Sequence, residues 1–106
     1  MLELTVQKEH SDRTIVLNVK GILDISTAHL FEAYIQEIEN IEELIIDFSN
    51  LEFIDSTGIG MIMEAIYLSQ EKQFIIKLKG IDEPIHSILE TVGLFKVLEA
   101  VQGEVV

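Results

Sequence analysis

The run Leu44-Ile45-Ile46-Asp47-Phe48, followed after a short polar stretch by Asp55 to Gln70, constrains the fold of this chain more than any other feature. The first part is almost wholly apolar and of strand length. The second places Ile59, Ile62, Met63 and Ile66 at i, i+3, i+4 and i+7, the stripe of a helix with one buried face. Phe74 to Leu78 then reads as another strand. A strand, a helix and a strand in such close succession need a crossover, so the two strands run parallel in one sheet. A run as apolar as Leu44 to Phe48 is expected at the centre of a sheet covered on both faces.

The rest of the chain extends this unit. Leu2, Leu4 and Val6 alternate with Glu3, Thr5 and Gln7, and after the polar turn Glu9 to Asp12 the alternation resumes from Thr14 to Lys20. Two such runs predict an antiparallel hairpin. Asp24 or Ser26 is placed to cap a helix carrying Leu30, Phe31, Tyr34, Ile35 and Ile38 on one side. Pro84 opens a third helix with Ile85, Ile88, Leu89 and Val92 at helical spacing, and Gly93 is its expected stop. Val97 to Val101 is expected as a short last strand, and Gln102 to Val106 as a frayed tail. The predicted order is β-β-α-β-α-β-α-β. It describes one α/β domain over residues 1–106, with a central, mostly parallel sheet and an N-terminal antiparallel hairpin.

Charge narrows the function. The 19 acidic residues against 7 basic ones give a formal net charge of -12, which repels phosphate backbones and argues against direct nucleic-acid binding. A charged partner of such a chain presents a basic surface. The absence of cysteine removes disulfides, thiol catalysis and cysteine metal sites. No basic stretch followed by an apolar core opens the sequence, and no apolar run approaches the roughly 20 residues that span a bilayer. The expectation is a cytoplasmic protein without membrane insertion, and nothing in the pattern calls for more than a monomer.

Enzyme signatures fail one by one. His10, His29 and His86 lie far apart, none with a metal-ligand partner at i+3 or i+4. Ile54 stands where the first glycine of a nucleophile elbow around Ser56 belongs. Gly58-Ile59-Gly60 begins a dinucleotide fingerprint, but Met63 replaces its third glycine, and no P-loop lysine exists. No catalytic residue, metal or cofactor is expected.

What remains is the helix start itself. Asp55 and Ser56 are both good N-cap residues, and Gly58 and Gly60 each cost roughly 1 kcal/mol against Ala inside a helix. Two glycines in the first turns suggest close approach of something to the backbone. Met61, Ala65 and Leu68 lie off the predicted stripe, so the helix is apolar more widely than one core needs. Ser56 has two readings: a cap, or an exposed hydroxyl that accepts a phosphoryl group. Phosphorylation would add about -1.5 to -2 charges beside Asp55. A helix N-terminus accommodates that anion, so the group would obstruct a docked partner without unfolding the domain.

The segment Leu44 to Gly60, with Asp55-Ser56-Thr57-Gly58-Ile59-Gly60 preceded by Asp47-Phe48-Ser49, resembles the signature of the STAS domain, specifically of the bacterial anti-sigma factor antagonists. Gly21-Ile22-Leu23-Asp24 is similar to the family's loop before the first helix, and Ile88 to Leu94 to its last helix. The resemblance implies a STAS-like fold and a partner-switching regulator of transcription. Such proteins bind an anti-sigma factor with serine kinase activity and so release a sigma factor. The kinase phosphorylates the serine matching Ser56, and a PP2C-like phosphatase reverses this. By the same match Asp55, Thr57, Gly58 and Gly60 shape the serine's turn, Asp24 flanks the docking site, and Ile59 and Met63 are apolar contacts. Many relatives carry an acid at the position of Ile22 and often a proline near His29, departures that bear on partner choice; Thr57 is a second hydroxyl beside the first. The rival implied by the same broad fold is a non-switching interaction module, either a signalling-complex scaffold or a lipid-transporter accessory subunit.

Overall fold

The computed structural model describes residues 3–102. Strands β1 (Leu4–Ser11) and β2 (Thr14–Leu23) form the expected hairpin, helix α1 (Ala28–Gln36) leads to β3 (Glu43–Ile54), and helix α2 (Ser56–Lys72) leads to β4 (Ile75–Lys79). Helices α3 (Glu83–Thr91) and α4 (Leu94–Gln102) close the described chain. The sheet order is β1-β2-β3-β4, with β1 antiparallel to β2 and both remaining pairs parallel. This is the predicted α/β class with its hairpin and mostly parallel sheet.

Four expectations change. The first seven elements keep the predicted order, but Val97 to Val101 lies in α4 instead of a strand. The sequence carries the reason: Leu94, Val97, Leu98 and Val101 follow the i, i+3, i+4, i+7 rule, with Leu94 buried and the other three packed against the core. The place a fifth strand would take at β4 is met by the Gln102 side chain, whose Oε1 accepts from the backbone N–H of Ile76 at 2.6 Å. Leu2 and residues 103–106 of the expected tail lie outside the described residues.

Second, among the described residues β3 is fully buried on one face only. Leu44, Ile46 and Phe48 are buried while Ile45 and Asp47 between them are half-buried. The same alternation runs through β2, where Ile15, Leu17 and Val19 are buried. In register, Ile45 lies between Val16 and Lys77, and Asp47 between Asn18 and Lys79, so the outer face is mixed and the inner face wholly apolar. Third, Glu9 to Ser11 belong to β1, because the hairpin turns tightly at Asp12-Arg13, with Asp12 at φ 56°. Fourth, α1 is capped by neither Asp24 nor Ser26. Thr27 is the N-cap residue, and its hydroxyl donates to the Ile22 carbonyl at 2.7 Å, closing the loop back onto β2.

Helix α2 is the centre of the packing, touching α1, α4, β3 and β4. Its buried residues are Gly58, Ile62, Ala65, Ile66 and Ser69. The buried stripe is therefore turned from the predicted one: Ala65 joins the core, and Ile59 and Met63 flank it half-buried. Three small residues in the contact row let α2 approach its neighbours closely. Ile62 and Ile66 supply the apolar burial, about 1.5–3 kcal/mol each. The last helices meet partly through His86, which stacks on Phe95 with ring centroids 4.7 Å apart.

Candidate site at the start of helix α2

Parallel strands bring their C-terminal ends to one edge of the sheet, so the loop after β2 and the loop after β3 are neighbours there. The Asp55 side chain joins them. One oxygen, Oδ1, accepts from Gly58 N–H at 2.9 Å, the N-cap bond of α2. The other, Oδ2, accepts from Ile25 N–H at 3.1 Å. Asp55 N–H in turn donates to the Leu23 carbonyl at 3.3 Å.

This arrangement decides which of the two residues caps the helix. Asp55 is the cap, and Ser56 is the first helical residue, exposed to solvent. Its hydroxyl sits where the backbone N–H groups of the first turn and the helix dipole favour a negative charge. Thr57 is half-buried beside it.

Asp24, 31 residues earlier by sequence numbering, is brought to the same edge. Its Oδ1 accepts from Ser26 N–H at 2.9 Å and from the Ser26 hydroxyl at 2.7 Å, with the Thr27 hydroxyl at 3.3 Å. The Ser26 hydroxyl above all, aided by the Ser26 and Thr27 backbone amides and the Thr27 hydroxyl, holds the Asp24 carboxyl below the usual carboxylate range. A depressed folded-state value means that the stabilisation is present above the ordinary pKa and lost as pH falls through the depressed one. NMR titration should find Asp24 ionising below an unstructured aspartate, and Ser26→Ala should move its midpoint up toward that value.

Gly58 is required by packing: a Cβ there would stand 2.4 Å from the Leu23 carbonyl oxygen and 2.8 Å from Ile54 Cγ1. Gly60 is different, since a Cβ there would meet nothing within 4 Å. The expectation of close access to the backbone thus divides: Gly58 admits the end of β2, while Gly60 faces open space. The predicted residues Asp24, Asp55, Ser56, Thr57, Gly58, Ile59, Gly60 and Met63 all belong to this edge or to the first turns of α2. The same edge also exposes Ile25, at 77%, and Phe53, at 52% and in register with Ile22, neither of which local patterning singles out. The signal for Ile25 was an isoleucine between the polar residues Asp24 and Ser26.

Among the described residues no three His, Cys, Asp or Glu side chains gather to hold a metal, and no helix is long and apolar enough to cross a membrane. The chain is 26% identical over 107 residues to the "Anti-sigma F factor antagonist" of Paenibacillus polymyxa, covering 98% of this chain and 92% of that one. The crystal structure of an anti-sigma factor antagonist from Mycobacterium paratuberculosis superposes with a TM-score of 0.73 at 25% identity, over 94% of this chain and 95% of that one. The Bacillus cell fate determinant SpoIIAA, solved in its phosphorylated form, does so with a TM-score of 0.71 at 22% identity, over 87% and 86% of the two chains. The profile of the STAS domain matches residues 5–105, which takes in every element of the sheet, Ser56 and the loop that Asp55 ties to it, and the chain belongs to the STAS domain family.

Proposed function

We propose that this chain, with residues 1–106 acting as one STAS domain, is an anti-sigma factor antagonist switched off by phosphorylation of Ser56. The observation that carries this reading is the division of labour at the start of α2. Asp55 satisfies the helix, and the Ser56 hydroxyl is left exposed at a position that tolerates a phosphate. The relatives' names support the partner class, an anti-sigma factor. The serine kinase activity that acts on Ser56 is, in this reading, the partner's own. In the unmodified state the partner docks on the edge formed by Asp24, Asp55, Thr57, Gly58, Gly60 and the apolar flank Ile59 and Met63, releasing its sigma factor.

The modification transfers the γ-phosphoryl group of ATP to Ser56 Oγ. The bond from that phosphorus to the ADP oxygen breaks, ADP leaves, and the hydroxyl proton passes to a base of the kinase. The new charge lies beside Asp55 at the docking edge, where repulsion and desolvation oppose contact. A PP2C-like phosphatase hydrolyses the ester and restores binding. The protein itself is the regulated surface and performs no catalysis, and we place it in the bacterial cytoplasm as a monomer.

Phosphosite mapping by mass spectrometry on protein taken from its source cells, with and without stress, tests the switch. Ser56 phosphate whose occupancy changes with conditions is the expected result. Phosphate on Thr57 in place of Ser56 would move the reading to a scaffold of signalling complexes. An unmodified chain under all conditions would favour the constitutive interaction module, including a transporter's accessory subunit.

A further inference from the structure

Ile25 is the most exposed large apolar side chain of the described residues, at 77%. A single exposed isoleucine is ordinary on a protein surface. What sets this one apart is how firmly its backbone is held and by what. Its N–H donates to Asp55 Oδ2, the same carboxylate that caps α2 next to Ser56. On either side of it, Asp24 binds Ser26 through Oδ1, Asp24 N–H donates to Thr27 Oγ1 at 3.0 Å, and Ala28 N–H donates to the Asp24 carbonyl at 2.8 Å. The turn is closed on both sides of an apolar side chain that, among the described residues, is left largely exposed.

An apolar group presented on a pre-ordered backbone loses little conformational freedom when it is buried by a partner, which is the property of an interface hot spot. Two carboxylates, Asp24 and Asp55, flank it, on a chain of net charge -12. The complementary surface is an apolar socket rimmed by Lys or Arg.

We infer that Ile25 is the docking anchor for the serine kinase anti-sigma factor and a determinant of which such kinase the chain engages. This rests on the proposed function above, and it assigns the kinase's recognition to a residue outside the Ser56 signature. Because Asp55 holds both Ile25 and the start of α2, anchor and phosphoacceptor keep a fixed separation. A kinase whose socket accepts Ile25 therefore finds Ser56 in register.

The test is the initial rate of phosphoryl transfer from radiolabelled ATP to the purified full chain, catalysed by an extract of the source cells, with the label assigned by mass spectrometry. Ile25→Ala should raise KM by about tenfold or more with kcat little changed, as removal of binding that does not act on the reacting atoms requires. Ile25→Leu, which keeps the apolar volume, should stay within about threefold of the parent. Thermal unfolding should be nearly unchanged in both variants, since the side chain is exposed. Ile75→Ala, at the opposite end of the sheet and 55% exposed, is the control and should leave KM unchanged. Equal KM for Ile25→Ala and the parent, with Ser56 labelled in both, would overturn the anchor and leave the proposed function standing. An equal rise for Ile75→Ala would assign the effect to general surface apolarity and overturn it as well. No label on Ser56 of the parent would remove the proposed function and the anchor together.

Discussion

Ser56→Asp should weaken binding to the anti-sigma factor by about 30-fold or more, roughly 2 kcal/mol, while leaving the domain as stable as the parent or slightly more so. The two effects have separate origins. Within the fold, position 56 is the first residue of α2, where an added carboxylate meets the positive end of the helix dipole and gains about 0.3–1 kcal/mol. At the interface the same charge lies next to Asp55 on a chain already carrying -12, and a partner fitted to the unmodified surface must bury or repel it. Ser56→Ala should bind as the parent does and resist inactivation by kinase and ATP. Isothermal titration with the partner and thermal unfolding of the free chain separate the effects. Parent-like affinity of Ser56→Asp would remove the switch. A lowered melting temperature would mean that lost binding reflects lost fold.

The two glycines of this segment should respond to alanine with opposite signs. Gly58→Ala puts a methyl group 2.4 Å from the Leu23 carbonyl oxygen and 2.9 Å from Leu23 Cγ. Backbone cannot yield as a flexible side-chain tip does, so the end of β2 and the start of α2 must separate. Overpacking of this kind costs about 1–3 kcal/mol. The movement also strains the bonds from Asp55 to Gly58 and from Asp55 N–H to the Leu23 carbonyl, so the docking edge should suffer along with stability. Gly60→Ala meets no atom within 4 Å and replaces a poor helix former, so it should stabilise the free domain by up to about 1 kcal/mol. Urea unfolding at unchanged m-value measures both. If Gly60→Ala stabilises the chain yet weakens partner binding, Gly60 serves the partner's approach. Unchanged binding would end that role for it.

How far the site could be read in advance differs from residue to residue. The start of α2 was legible because Asp55, Ser56 and the following apolar positions obey local rules of capping and periodicity. Whether Asp55 or Ser56 was the cap was not legible, since both have the chemistry. The choice fell to Asp55 because its second oxygen also satisfies Ile25 N–H, a partner thirty residues away. The buried stripe of α2 departs from the hydropathy stripe for a related reason. Hydropathy favours Ile59 and Met63, but close contact with neighbouring helices and strands selects the small Gly58, Ala65 and Ser69 alongside Ile62 and Ile66. Val97 to Val101 is a short apolar run that suits either period, and the helical frame running from Leu94 decides it.

Short-range patterning and chain connectivity are enough to set the α/β class, the hairpin, the parallel crossovers and the serine at the head of a helix. Only the folded arrangement selects which sheet face is fully buried, which residue caps α2 and the exposed place of Ile25 against Asp55. Those depend on contacts between residues distant in the chain, where one carboxylate or one missing Cβ selects among arrangements that local propensity leaves equal in energy.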